Sequence, residues 1–122
     1  MPGSGGRPTD RRRALGRSGE AAAAAWYVEH GYEVLAANWR TAAGELDLVV
    51  GRAREVVFCE VKTRSSTRFG EPAEAVTQTK QARLRRLAAA WLGAAGGRRA
   101  ATVRFDVASV RDGVVTVLER AF

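Results

Sequence analysis

Three features of the chain predict an α/β fold, one domain of order αβββαββ in which a mixed sheet is flanked by helices. Residues 46–50 and 56–62 are β-branched, apolar runs parted by Gly51-Arg52-Ala53-Arg54-Glu55, which reads as a hairpin. Leu84, Leu87, Ala88, Trp91, Leu92 and Ala95 recur at i, i+3, i+4 and i+7, the period of an amphipathic helix. An alanine-rich stretch, residues 15–30, supplies a first helix that Gly31 is placed to stop.

The remaining elements follow in order. Residues 1–13 hold Gly, Pro, Ser, Thr and Arg with almost no apolar content, so they are expected to form a disordered basic arm ahead of a domain at 14–122. Residues 32–40, with Val34, Leu35 and Trp39, read as a strand, and Thr41-Ala42-Ala43-Gly44 as the turn into the 46–50 run. Residues 63–75 are polar, with Gly70 and Pro72, and predict a loop over whatever the preceding strand presents. Thr77 or Thr79 can cap the second helix and Gly96-Gly97 end it. A last hairpin joins residues 102–107 to 114–119 around Arg111-Asp112-Gly113.

A chain of 122 residues suits a single core that buries on the order of two-thirds of the unfolded surface. No apolar run approaches the roughly 20 residues needed to span a bilayer. No apolar segment of about 7–15 residues follows the N-terminal arginines, as a secretory signal would require. The lone cysteine, Cys59, has no internal disulfide partner, and alternation puts it on the strand face opposite Glu60, as a small buried apolar residue. These points favour the cytoplasm.

The net charge of +7 and a pI near 10.9 point toward nucleic acid. Eighteen of the twenty basic residues are arginine and alanine is abundant, however, which a GC-rich genome would produce by itself. The distribution says more than the total. Between Ala75 and Phe105 there is no acidic residue, whereas Lys80, Arg83, Arg85, Arg86, Arg98, Arg99 and Arg104 all fall there. Such a one-sign block suits a polyanionic substrate.

Four residues carry the chemistry: Glu20, Asp47, Glu60 and Lys62. If the 46–62 hairpin is symmetric about Ala53 and Arg54, the numbers of paired residues sum to 107, and those of Asp47 and Glu60 do. Their β-carbons would then lie roughly 4.5–5.5 Å apart. Lys62 follows Glu60 at i+2 and leaves the same face. Adjacent carboxylates repel, so the pairing asks for a cation: a divalent-metal site with a lysine beside it. Glu20, in Gly16-Arg17-Ser18-Gly19-Glu20, is a third acidic group, and its glycines would let the helix approach the sheet closely. Blander readings stand beside these. Glu-x-Lys on a strand is commonly a surface ion pair, and Glu20 can serve a helix N-terminus. His30, just before Gly31, reads as a partner for the helix C-terminus. There is no zinc-type His/Cys spacing, phosphate-cradling glycine loop or serine elbow.

Asp47, the segment Glu60-Val61-Lys62 on a neighbouring strand and Glu20 on a preceding helix resemble the PD-(D/E)XK nucleases. The segments Gly16-Arg17-Ser18-Gly19-Glu20, Asn38-Trp39-Arg40, Gly44-Glu45-Leu46-Asp47-Leu48, Phe58-Cys59-Glu60-Val61-Lys62-Thr63-Arg64 and Arg104-Phe105-Asp106-Val107 are together similar to one branch. That branch is the YraN family of small bacterial proteins, regarded as endonucleases and distantly similar to archaeal Holliday-junction resolvases. Leu46 stands where the superfamily's name has proline. The resemblance implies a restriction-endonuclease-like core, with Asp47 and Glu60 as metal ligands and Lys62 as the catalytic lysine.

The expected reaction is metal-assisted hydrolysis of phosphodiesters. Asp47, Glu60 and the Val61 carbonyl are hard oxygen donors suited to Mg²⁺ or Mn²⁺. Gln78, Lys80 and Arg83, opening the second helix, are the expected phosphate contacts. Phosphate contacts carry no base information, so selectivity by structure is expected on DNA. Two other classes stay open: a nucleic-acid-binding module with this fold but little catalysis, and a scaffold whose acidic cluster is structural. A homodimer is also left open.

Overall fold

The computed structural model describes residues 8–64, 76–94 and 102–122, with side chains from Gly19 onward. Its elements run α1 (Pro8–Glu29), β1 (Glu33–Thr41), β2 (Gly44–Arg52), β3 (Glu55–Arg64), α2 (Gln78–Ala94), β4 (Thr102–Arg111) and β5 (Val114–Leu118). The order is the expected αβββαββ. The five strands form one mixed sheet in sequence order, antiparallel except where β3 and β4 run parallel through the α2 crossover. This mixed sheet with a helix on each face is consistent with a restriction-endonuclease-like core.

Helix α1 begins earlier than the arm at 1–13 would allow. Proline fits the first position of a helix because its missing N–H is not needed there, and the arginines that follow are good helix formers. The helix therefore starts at Pro8; residues 1–7 lie outside the described residues. Its end is a Schellman motif. Gly31 takes φ 89°, its N–H donates to the Val28 carbonyl at 3.0 Å, and the Tyr32 N–H donates to the Tyr27 carbonyl at 2.9 Å. The Tyr27 and Tyr32 rings meet edge to face 5.3 Å apart, giving the motif its apolar contact. His30 serves the same terminus: its ring nitrogen donates to the Trp26 carbonyl at 2.6 Å.

Two apolar layers sandwich the sheet. On one face Ala23 and Tyr27 of α1 cover Leu48, Val50, Val57, Cys59, Ala108 and Val110. On the other, Leu84, Leu87, Ala88 and Trp91 of α2 cover Val49, Val56, Phe58, Phe105 and Val107. Cys59 thus faces α1, opposite Glu60 as expected, and burial pushes its thiol up to about 12. The Thr77 hydroxyl accepts the Lys80 N–H at 3.2 Å and caps α2. The 65–75 stretch and the Gly96-Gly97 stop lie outside the described residues. Asp112 and Gly113, at φ 52° and 78°, form the two-residue turn between β4 and β5, a primed turn that matches strand twist. No helix among the described residues is long and apolar enough to cross a membrane.

One departure from plain alternation shapes the site. Within β1, Asn38 adopts φ 54°, which an L-residue seldom takes inside a strand. The β1–β2 ladder pairs Ala37 with Leu48 and Trp39 with Leu46, and skips Asn38 and Asp47 between them. Leu48 packs toward α1, yet Leu46, two residues away, packs toward α2. Asp47 sits where the strand switches faces.

Candidate active site

The hairpin register is the expected one. Arg52 pairs with Glu55, Val50 with Val57, Val49 with Phe58 and Leu48 with Cys59. The ladder then stops one step short of the Asp47–Glu60 pair. The Asp47 side chain takes over instead: its Oδ2 accepts the Val61 N–H at 2.9 Å. The expectation of a directly paired Asp47 and Glu60 is corrected to this side-chain-to-backbone link. Glu60 remains close enough to bear on the Asp47 charge. Burial, then Glu60, and at lesser weight Glu20 and Glu45, push the Asp47 carboxyl up to about 7, against the Val61 hydrogen bond that favours its ionised form.

Glu60 is 9% exposed and carries two cations on one oxygen. Lys80 Nζ lies 2.7 Å and Lys62 Nζ 3.2 Å from its Oε2. Lys62 projects from the same strand face as Glu60, as i+2 spacing requires. Lys80 reaches in from the first turn of α2. The two ammonium groups share one acceptor, and the competition divides them. Burial and the nearby Lys80 draw the Lys62 pKa down, partly offset by Glu60. For Lys80 burial pulls downward as well, but the hydrogen bond to Glu60 and the other acidic charges hold it above the ordinary lysine value.

Glu20 borders this group from the α1 side and is half-buried. Its seat depends on Gly19, where a β-carbon would overlap the Thr63 hydroxyl of β3. The close helix-to-sheet approach expected of these glycines is therefore realised at Gly19. Among the phosphate-contact candidates, Gln78 and Arg83 are exposed, and the Arg83 stem runs along Gly44 in the β1–β2 turn. Lys80 differs from both in turning inward to Glu60, which spacing along α2 does not reveal.

Arg104, counted in the basic block, belongs elsewhere. It is buried on the α1 face and grips Asp106 through two hydrogen bonds of 2.9 Å, with Glu55 at 3.3 Å. Asp106 also accepts from the Tyr27 hydroxyl and from the Arg120 N–H. The exposed basic residues described on α2 are Arg83, Arg85 and Arg86, and Arg85 lies over the Phe105 and Phe122 rings. Arg98 and Arg99 lie outside the described residues.

The donor set fits a hard divalent ion in type. Asp47 and Glu60 are neighbouring carboxylates, one pushed toward its neutral form and the other held by two ammonium ions. Among the described residues no three His, Cys, Asp or Glu side chains cluster as ligands. An ion there would rest on these two carboxylates and complete its shell with backbone oxygen and water, as Mg²⁺ commonly does. The structure shows Val61 at the site through its N–H.

A family model described as "Uncharacterised protein family UPF0102" matches residues 19–110, from Gly19 within α1 to the last residue but one of β4. A UPF0102 protein of Frankia casuarinae is 56% identical over 94 residues, 77% of this chain and 79% of that one. Another, from Beutenbergia cavernae, is 54% identical over 97 residues, covering 80% and 81%. A third, from Moorella thermoacetica, is 50% identical over 104 residues, 84% of each chain. Every candidate residue from Glu20 to Arg83 falls inside the matched span, and the chain belongs to the UPF0102 family, the YraN proteins.

Proposed function

We infer that this chain is a metal-dependent endonuclease that hydrolyses phosphodiester bonds in DNA, choosing its substrate by structure rather than by base sequence. The observation that carries the reading is the convergence of Asp47, Glu60 and Lys62. A carboxyl pushed up to about 7 next to another acidic group, on the two inner strands β2 and β3, stores a repulsion that a purely structural site would avoid.

Asp47 and Glu60 would hold Mg²⁺ or Mn²⁺, which supplies charge neutralisation and a more acidic water. The protein's own groups do the rest. Asp47 is anchored through Oδ2 to the Val61 N–H, so its other oxygen keeps a defined direction. Lys62, whose ammonium lies 3.2 Å from Glu60 Oε2, is placed to hold the attacking water in line or to steady the charge that builds on the phosphate. The new bond joins the water oxygen to phosphorus as the P–O ester bond breaks; the attacking water gives its proton to bulk water and the leaving oxygen takes one from it, releasing a hydroxyl end. Glu20 stands within electrostatic reach of Asp47 and can orient water on that side. Gln78 and Arg83 supply contacts to phosphates outside the scissile one, which add affinity without reading bases.

The test is incubation with branched, flapped, single-stranded and duplex DNA, and with RNA, each in Mg²⁺, Mn²⁺ or chelator. Metal-dependent cleavage of at least one substrate is expected, with Lys62→Ala losing turnover and keeping binding. Cleavage that persists in both Lys62→Ala and Asp47→Ala would refute the assignment. The neutralisation of Glu60 by two lysines favours a second reading, a binding module without chemistry, and salt-sensitive binding with no cleavage on any substrate would select it.

A further inference from the structure

A lysine that merely touches outlying phosphates belongs on an exposed helix face with its ammonium in water. Lys80 is not so placed. Its side chain is 25% exposed, and its ammonium is nearer Glu60 than that of Lys62, 2.7 Å against 3.2 Å. The Thr77 cap holds the helical turn that carries it, so the position follows from the fold. Both ammonium groups meet the same oxygen, Oε2. Two unit charges are thereby brought to one side of one carboxylate, the charge that a divalent ion would deliver. The two ammonium groups compete for a single acceptor, so an anion from outside can take one of them.

We propose that Lys80 is the resident counter-ion of Glu60 and a second catalytic lysine: a divalent ion entering at Asp47 and Glu60 displaces its ammonium, which then takes a non-bridging oxygen of the scissile phosphodiester. This rests on the metal-dependent nuclease reading. Lys62 stays on β3 beside Glu60, while Lys80, at the start of a helix, swings on its four-carbon stem from carboxylate to phosphate. The exchange couples metal entry to substrate capture without movement of the backbone. It also changes the part given to Lys80 by its position in the sequence. Removing it should act on turnover and on metal uptake, and far less on nucleic-acid affinity, which many other cations share.

Mn²⁺ titration followed by water-proton relaxation tests this on the full chain, comparing wild type, Asp47→Asn, Lys80→Met and Lys80→Arg, with thermal melts to confirm folding. Lys80→Met should bind Mn²⁺ about threefold or more tightly, because the ion no longer competes with an ammonium. Lys80→Arg keeps the cation and should stay near wild type. At saturating Mn²⁺, Lys80→Met should lower kcat by about 100-fold, with DNA affinity nearly unchanged. Uptake indifferent to Asp47→Asn would overturn the metal reading and this inference with it. Uptake that depends on Asp47 but is unaltered or weakened in Lys80→Met would overturn the counter-ion role alone. A fall in DNA affinity that matches the fall in turnover would make Lys80 a binding contact and overturn its catalytic role.

Discussion

Two groups of buried charge lie on opposite faces of the same sheet, and they are built on opposite principles. Under α1, Asp106 is wholly buried and accepts four hydrogen bonds, two from Arg104 and one each from Tyr27 and the Arg120 backbone. Arg104 is completed by Glu55, which also takes the Tyr32 hydroxyl at 3.0 Å. Each acceptor there faces a donor. Toward α2, Glu60 shares one oxygen between two ammonium ions, and Asp47 is held near other carboxylates. The first arrangement spends its charges on stability. The second keeps like charges together, and the proposed metal site rests on that difference.

Four measurements would break or sharpen this contrast. Asp106→Ala should have the largest effect, since it leaves Arg104 and the Tyr27 hydroxyl buried without their acceptor. A loss of about 3–5 kcal/mol in urea unfolding is expected. A loss below about 1 kcal/mol would erase the distinction between the two groups.

Asp47→Asn should go the other way. The folded chain binds the Asp47 proton more tightly than the unfolded chain, because burial and Glu60 raise this pKa from 3.8 to about 7. The stabilisation from that proton is complete below the lower value and is lost as pH rises through the upper one. At pH 8 the variant should therefore be about 1–4 kcal/mol more stable than wild type, the gap closing toward pH 4. Added Mn²⁺ should narrow the gap at pH 8 by restoring the wild type alone. A variant less stable than wild type at pH 8 would show the carboxylates to be a structural pair.

Tyr27→Phe removes one of the donors to Asp106 and leaves three. It should cost about 1–2 kcal/mol with little dependence on metal. The smallest effect is expected of Glu20→Gln, which takes away one of the lesser charges acting on Asp47. The Asp47 titration midpoint, followed by carboxyl-carbon NMR, should fall by a few tenths of a pH unit. An unmoved midpoint would detach Glu20 from the site.

Local rules make much of this legible in the sequence. A short turn pins a hairpin's register, so pairing about Ala53 and Arg54 could be read from residue numbers alone, and it holds from Leu48 with Cys59 to Arg52 with Glu55. Alternation put Glu60 and Lys62 together and Cys59 on the far face. Gly31 marked the end of α1, and Gly19 a close approach, because in each place a β-carbon is the obstacle. What escaped was set by contacts between distant segments. Asn38 takes a left-handed conformation beside Asp47, and there a side-chain bond from Asp47 to the Val61 N–H stands where the next ladder step would be. Arg104 reads as one more surface cation until the parallel β3–β4 pairing sets Asp106 beside Cys59 under Tyr27. Lys80 lies twenty positions from Glu60, and only the placing of α2 over that face of the sheet brings the two within 2.7 Å. Periodicity decides which side of its own element a residue occupies; the partner waiting on that side is decided by sheet order and helix placement, because those contacts join segments that no local spacing relates.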